Sequence, residues 1–306
     1  MKKSLFLIAA LAFAAIASAQ TLFVGTYNIR YKNDGDSIKG NVWSVRSKVL
    51  ADQINFYEPD IFGTQEVLYT QLEDLKRELD GYDYIGVGRD DGKHAGEYSA
   101  IFYDKKRFNL LKNGNFWLSE HPDRPGLGWD AACTRICTWG QFSDKKTGFK
   151  FFYFNLHMDH VGVVARREGA KLVINKIKEL AGPGAAVILT GDFNVNQKNE
   201  IYKIFSNSGI LKDTYASAER RFSTNGTWQD FNNQQWSDQR IDHIFVSPKF
   251  NVRRYGMVTD SYWTASKLTP EQIEEAKKHM EPGYEPRERR SPSDHYPVFA
   301  KIVFKK

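Results

Sequence analysis

Cysteine is nearly absent: Cys133 and Cys137 are the only two in 306 residues. A disulfide framework is therefore excluded as the basis of the fold, and nothing resembles a zinc knuckle. Residues 131 to 142 read as a strand, which holds positions four apart too far from each other to bridge, so both thiols are expected to be free. Long apolar runs are also scarce. The one at Leu5 to Ile16 follows Lys2 and Lys3 and precedes Ala17-Ser18-Ala19, the pattern of a secretory signal peptide over residues 1–19. It falls short of the roughly 20 residues needed to span a bilayer. The expectation is an exported protein, periplasmic or secreted, with no stable membrane insertion. An excess of one charge is missing as well. Lys and Arg number 43 against 37 Asp and Glu, a formal +6, and two of those positive charges lie in the leader. That balance, without a Lys/Arg-rich segment, does not by itself call for a nucleic-acid partner. No Gly-x-Ser-x-Gly elbow and no His-Glu-x-x-His helix occurs, so serine hydrolase and zinc protease readings find no support.

What is present begins with Val187-Ile188-Leu189-Thr190-Gly191-Asp192-Phe193-Asn194. Three apolar residues make a buried strand, and Asp192 and Asn194, two apart, share a side if the segment stays extended. An ordinary Asp/Asn turn after a strand is the competing reading. Similar strand ends recur. Leu22 to Arg30 reads as a first strand ending near Asn28, and Asp60 to Glu66 as a second that leaves Glu66 at its end. Between them, Val45, Val49, Leu50, Ile54 and Tyr57 have helical spacing, closed by Pro59. Gln71 to Leu79, Val163 to Leu180, Glu200 to Ser206 and Pro270 to His279 read as further helices. Tyr84 to Val87, Ser99 to Tyr103, Phe116 to Leu118, Phe151 to Leu156, Ile241 to Val246 and Val298 to Phe304 read as strands, separated by turn clusters. Helices near both ends and a strand-rich middle suggest an α/β (α+β) protein. The expected form is a four-layer αββα sandwich of two mixed sheets, with helices outside and one domain over 20–306. Nothing specifies an oligomer, and a monomer is the default.

Taken in order, Thr26-Tyr27-Asn28, Gln65-Glu66, Asn155-Leu156-His157, Gly191-Asp192-Phe193-Asn194, Ile241-Asp242-His243-Ile244 and Ser293-Asp294-His295 resemble the motifs of the endonuclease/exonuclease/phosphatase superfamily. That superfamily includes deoxyribonuclease I, bacterial sphingomyelinase and inositol-polyphosphate phosphatases, and the resemblance covers essentially the whole chain after the leader. It implies a metal-dependent phosphoric ester hydrolase. The chemistry asks for the same residue types: a hard cation on oxygen ligands to neutralise phosphoryl charge, an aligned water, and help for the leaving oxygen. Mg²⁺ is the expected cofactor, with Mn²⁺ a substitute. Glu66 is the expected principal metal ligand, with Asn28 and Asp294 beside it. Asp192 and Asn194 orient the water and hold the phosphate, as the resemblance implies. His295 is the candidate base, because imidazole titrates near neutrality, and Asp242 fixes its tautomer. His157 donates to the phosphate or the leaving oxygen.

Several other residues carry weaker signals. Arg89, His94, Glu97 and Arg135 fall near expected strand ends and are candidates for reading the substrate, or are solvated loop charges. Asp159 and His160 invite a zinc reading, but without a matching ligand set a structural or substrate-side role is favoured. His243 should point away from Asp242 along a regular strand. Arg287, Arg289 and Arg290 are either a phosphate-facing run or a solvated face. The shared catalytic set does not separate diesters from monoesters, so a phospholipid, a phosphorylated glycan, a small phosphoester or a nucleic acid all remain as substrate. A catalytically silent binding module on the same fold should lack one of Glu66, Asp192, Asp294 or His295, and this chain has them all. The loops 228–240 and 261–293 are expected to border the site and to set the substrate.

Overall fold

The computed structural model describes residues 20–305; the leader expected over 1–19 lies outside the described residues. The chain runs β1 (Thr21–Asn28), α1 (Asp34–Ile38), α2 (Trp43–Tyr57), β2 (Ile61–Gln65), α3 (Tyr69–Glu78), β3 (Tyr82–Ile85) and β4 (Ile101–Asp104). It continues through β5 (Phe108–Trp117), β6 (Ile136–Asp144), β7 (Lys150–His157), α4 (Val163–Ala181), β8 (Val187–Asp192) and α5 (Glu200–Ser206). Then come β9 (Lys212–Asp213), α6 (Thr214–Ser217), β10 (Ala218–Phe222), β11 (Asp242–Val246) and β12 (Phe250–Met257). It ends with β13 (Tyr262–Ala265), α7 (Pro270–Lys277), β14 (Arg287–Arg290) and β15 (Val298–Phe304).

Alternation along the strands builds two sheets face to face. One has the order β10-β12-β15-β1-β2-β4-β3 and the other β5-β6-β7-β8-β11-β9, each mixing parallel and antiparallel neighbours. Leu22 and Val24 of β1, Ile61 of β2, Ile188 of β8 and Ile244 of β11 turn inward and form the core between the sheets. The intervening residues turn outward. Phe62 and Tyr27 meet Leu50 and Ile54 of α2 and Leu72 and Leu75 of α3. Val187, Leu189 and Phe245 meet Val173 and Ile177 of α4 and Phe205 of α5. The result is the four-layer αββα sandwich expected from the sequence, with helices outside. Among the described residues no helix is long and apolar enough to cross a membrane.

A polar bridge crosses the core below the strand ends. Asn155 of β7 donates to the carbonyls of Thr64 and Ala100 (2.9 Å each) and accepts from Gln65 Nε2 (2.7 Å) and Thr190 Oγ1 (3.0 Å). It needs a glycine opposite, because a Cβ on Gly63 would lie 2.1 Å from Asn155 Oδ1. The Asn155 amide is satisfied at both its nitrogen and its oxygen, so the bridge fixes the sheets' mutual register, and Gln65 Oε1 is the one buried side-chain oxygen in it left without a partner.

Several boundaries differ from the sequence reading. β5 begins at Phe108 rather than Phe116, because its outer half carries the exposed residues Leu111, Lys112 and Asn113 and a bulge that hide the alternation. β6 starts at Ile136, which leaves Cys133 in the preceding loop; both cysteines are free. The buried face of α2 includes Trp43, Arg46, Ser47 and Gln53, whereas Val45 is exposed. The excursion 261–293 holds the hairpin β13–β14 in addition to its helix.

One network makes a pH-dependent contribution to stability. Asp144, at the end of β6, accepts from Gln20 Nε2 (2.8 Å), Arg107 Nε (3.0 Å) and Thr147 N (2.9 Å). Burial opposes its charge, but the Thr147 N–H, Arg107 and Gln20 hold the carboxyl down to about 2. A carboxyl depressed in the native state stabilises fully above its unfolded pKa of about 3.9, and that contribution disappears as pH falls toward 2. Urea midpoints of wild type and Asp144→Asn should therefore differ most at pH 6, and the gap should shrink as pH falls from about 4 toward 2. A gap independent of pH would contradict this account.

Candidate active site

The strand ladders set the site. His157 of β7 lies opposite Asp192 of β8, and Asp192 lies opposite Asp242 of β11, so neighbouring strands end on three polar side chains in a row. Asp242 and Asp192 share the inward parity of Ile244 and Ile188. His243 takes the outward parity, packs on Phe193 and meets the Val195 carbonyl through Nε2 at 2.9 Å. On the facing sheet, β1 and β2 run parallel and end on Asn28 and Gln65.

Backbone turns then bring in the rest. Glu66 (φ 60°), Arg30 (φ 60°) and Asn194 (φ 50°) are non-glycine residues in the left-handed region, and all three line the cleft. Such strain gathers at functional sites. The pair Asp192/Asn194 is therefore not the extended pair expected from the sequence. β8 stops at Asp192, whose Oδ1 accepts from Asn194 N (2.9 Å), and the turn swings Asn194 Nδ2 to 3.1 Å from His157 Nε2.

Asn28 Nδ2 stands 3.0 Å from both Glu66 Oε1 and Asp192 Oδ2 and joins the two sheets. Its oxygen accepts from Arg30 N (3.0 Å), so the metal-ligand role expected of Asn28 requires the amide to turn over. The guanidinium of Arg30 lies between Glu66 (3.6 Å) and Asp294 (3.7 Å) and binds Asp36 at 2.8 Å. His295 Nδ1 is 2.8 Å from Asp242 Oδ2, and its Nε2 is 3.8 Å from Asp192 Oδ2. His157 Nε2 reaches the same Asp192 oxygen at 3.5 Å from the opposite side.

The electrostatics follow from burial and crowding. Burial, then the Asp242 carboxylate, pushes Asp192 up to about 7. Burial and Glu66 push Asp294 up to about 6 against the pull of His295 and Arg30. Burial disfavours charge on His295, yet Asp242, Asp192 and Asp294 push it up to about 10. His157 is driven the other way, well below the usual histidine range, by burial and by Arg135 and Arg89, so it is a neutral imidazole. Four carboxylates converge here with too little positive charge. Their oxygens, with the Asn28 amide, are the donor set a hard divalent cation takes, and Glu66 and Asp294 are the pair already facing a cation.

Of the substrate-side candidates, Arg89 and Arg135 reach the cleft. Arg89 forms a bidentate pair with Glu97 (2.6 and 3.0 Å), and Glu97 lies 4.0 Å from His157 Nδ1. Arg135 meets Asp159 through Nε (3.3 Å) and His160 through Nη2 (3.0 Å), leaving Nη1 buried without a partner. Cys133, Asp159 and His160 do gather. However, the Asp159 oxygens accept from Val161, Gly162 and Cys133 N–H groups and from Arg135, which leaves a metal no free oxygen and a guanidinium for a neighbour. His94 is not brought to the cleft: it packs on Tyr69 and pairs with the Tyr98 hydroxyl at 3.0 Å. Nor does the basic run reach it. Arg287 pairs with Glu285, Arg289 with the Ser261 hydroxyl, and Arg290 with Glu288 and Asn41. Arg30 and Arg46 gave no sequence signal, because an isolated arginine outside a motif looks like a surface charge.

A fold of two facing mixed sheets, with carboxylates, amides and histidines at their shared edge, defines a class, the phosphoester hydrolases that work with a divalent metal. The family model for the endonuclease/exonuclease/phosphatase family matches residues 25–295, and the chain belongs to that family. Among solved structures it is similar to a mannosyl-6-phosphatase from Bacteroides thetaiotaomicron (48% identity, 92% of this chain and 100% of that one, TM-score 0.85). It is also similar to an endonuclease/exonuclease/phosphatase family protein from the same organism (47% identity, 94% and 99%, TM-score 0.87). Protein L388 of Acanthamoeba polyphaga mimivirus is 27% identical over 70% of this chain and 83% of its own length.

Proposed function

We propose that this protein is an exported, Mg²⁺- or Mn²⁺-dependent phosphomonoesterase that removes phosphate from phosphorylated glycans. The observation that carries the reading is the pairing of His295 with Asp242 at 2.8 Å and its Nε2 facing Asp192, with His157 and Asn194 on the other side of the same carboxylate. That arrangement sets a candidate base, a carboxylate and two candidate phosphate-holding side chains around one point. The sugar comes from the similarity to a mannosyl-6-phosphatase over essentially the full chain. Export rests on the leader pattern in residues 1–19.

In this reading Asn194 Nδ2 and His157 hold the phosphoryl oxygens. Asp192 and His295 hold the water in line, and its proton goes to His295 Nε2 while Asp242 keeps the ring's other nitrogen protonated and aligned. As the water oxygen bonds phosphorus the bond to the sugar oxygen breaks, and that oxygen leaves on the opposite side and is protonated from solvent. Glu66 and Asp294, with Asn28, would hold the metal, which when bound neutralises phosphoryl charge and the surrounding carboxylates and so lowers the proton affinity of His295. Before the amide turns, Asn28 Nδ2 keeps Glu66 and Asp192 at a fixed separation.

Phosphate release should be measured on mannose 6-phosphate, a phosphorylated oligomannose, bis-p-nitrophenyl phosphate, sphingomyelin, RNA and plasmid DNA. Sugar monoesters should turn over with Mg²⁺ or Mn²⁺, lose activity in EDTA, and regain it on metal addition. Turnover of diesters alone would overturn the monoester reading, and sugar-phosphate hydrolysis unaffected by EDTA would overturn the metal.

A further inference from the structure

The cleft is about 710 Å³, and its two sides differ in character. The His157 side is charged, with Arg89 and Glu97 paired and Arg135 anchored on Asp159. The His295 side carries the Asp192 and Asp294 carboxyls but also the apolar surfaces of Trp228 and Ile241. Trp228 differs from the other exposed aromatics. Trp236, Trp263 and Tyr284 are more exposed and do not line the cleft, whereas Trp228 lines it at 41% exposure. Its backbone forms an antiparallel bridge with His295 itself. Thr227 and Gln229 on either side are fully buried, and their backbones bond to Tyr296 N (2.7 Å) and to the Asp294 carbonyl (2.9 Å). Gln229 Nε2 adds a bond to the Ser293 carbonyl at 2.6 Å. A large ring is thus held on a rigid ribbon, beside the candidate base, with much of its surface uncovered.

We infer that Trp228 is the specificity-determining platform on which the sugar ring of the substrate stacks. This rests on the reading of the protein as a sugar phosphatase. A pyranose has one face rich in C–H groups and a rim of hydroxyls, and the cleft offers a match for each. The C–H face lies on Trp228 and Ile241. The hydroxyls reach the Arg89–Glu97 pair, which lines the cleft opposite. With the phosphoryl group between the two histidines, the ring of a terminal sugar phosphate falls between these walls. An unbranched alkyl phosphate has no ring to place there.

The test compares kcat/KM for mannose 6-phosphate with that for glycerol 3-phosphate in wild type, Trp228→Ala, Trp228→Phe and Trp236→Ala, all loaded with Mg²⁺. Removing the platform should lower the sugar-to-glycerol ratio about tenfold, the scale of one lost ring contact, mainly through KM. Trp228→Phe should recover most of that ratio, and Trp236→Ala, in the same loop but away from the cleft, should leave it at the wild-type value. Equal losses on both substrates in Trp228→Ala, or no loss on either, would overturn the inference while leaving the sugar-phosphatase reading intact. Wild type inactive on every sugar phosphate would overturn both.

Discussion

Asp192→Asn is expected to lose about 10³-fold in kcat/KM while the protein remains folded, with a Tm in EDTA at or above that of wild type. The carboxylate is the hub of the site. Asn28, Asn194 and the two histidines all converge on its oxygens. An amide of the same shape keeps an acceptor for Asn194 N but turns an N–H toward groups that need an oxygen, so neither the water nor His295 is held correctly. Stability should move the other way. Burial and the nearby Asp242 carboxylate disfavour charge at Asp192, so its ionised form weighs against the fold near neutral pH. Removing that charge relieves the crowding. Circular dichroism melts together with phosphate-release kinetics separate the two effects. A loss of activity accompanied by a lower Tm would mean that Asp192 serves the fold, and unchanged activity would remove it from the chemistry.

The opposed signs explain why these strand ends could be read from sequence at all. A carboxylate at the end of a buried apolar run, as in Val187 to Asp192 or Ile61 to Glu66, violates the local preference for burying hydrophobic groups, and such violations concentrate at sites. The ladders that place His157, Asp192 and Asp242 side by side follow from the same strands, and strict alternation sent His243 the other way. The sequence pattern failed where residues do not alternate cleanly. β12 has the exposed arginines 253 and 254 and a register shift after Val252, and β14 consists of Arg287 to Arg290, stabilised by pairing with β13 rather than by burial. Left-handed Glu66 and Asn194 were equally hidden, since neither residue type requires that conformation. His94 shows the limit of proximity in sequence: it lies near Glu97 in the chain, but the turn carries it onto Tyr69 and Tyr98 instead of into the cleft.

Arg46 is the largest omission, and replacing it by Met should cost about 3–5 kcal/mol, a Tm drop on the order of 10 °C. Helical periodicity counts apolar residues and passes over an arginine, yet this one is fully buried on the inner face of α2. Its Nε donates to the Asn41 carbonyl (3.0 Å), Nη1 to those of Ile29 and Pro292 (2.9 Å each), and Nη2 to that of Arg30 (3.2 Å). The guanidinium also sits over the rings of Trp43 and Phe231. One side chain therefore ties the segment after Asn28 to the segment before Asp294, two parts of the site that are far apart in sequence. Methionine fills much of the volume but leaves the buried carbonyls of Asn41, Ile29 and Pro292 without donors, while that of Arg30 keeps Gln71 Nε2. Lysine carries the charge on a single nitrogen and cannot span them, so Arg46→Lys should recover only part of the loss. Activity should fall too, by about 10²-fold at temperatures where the variant is folded, because small shifts in Asp294 and Arg30 displace the metal-facing carboxylates. Raising Mg²⁺ should recover some of that activity in Arg46→Met without restoring Tm to wild type, since the metal draws Glu66 and Asp294 together but supplies nothing to the carbonyls. A melt unchanged by Arg46→Met would show that these bonds do not hold the two segments.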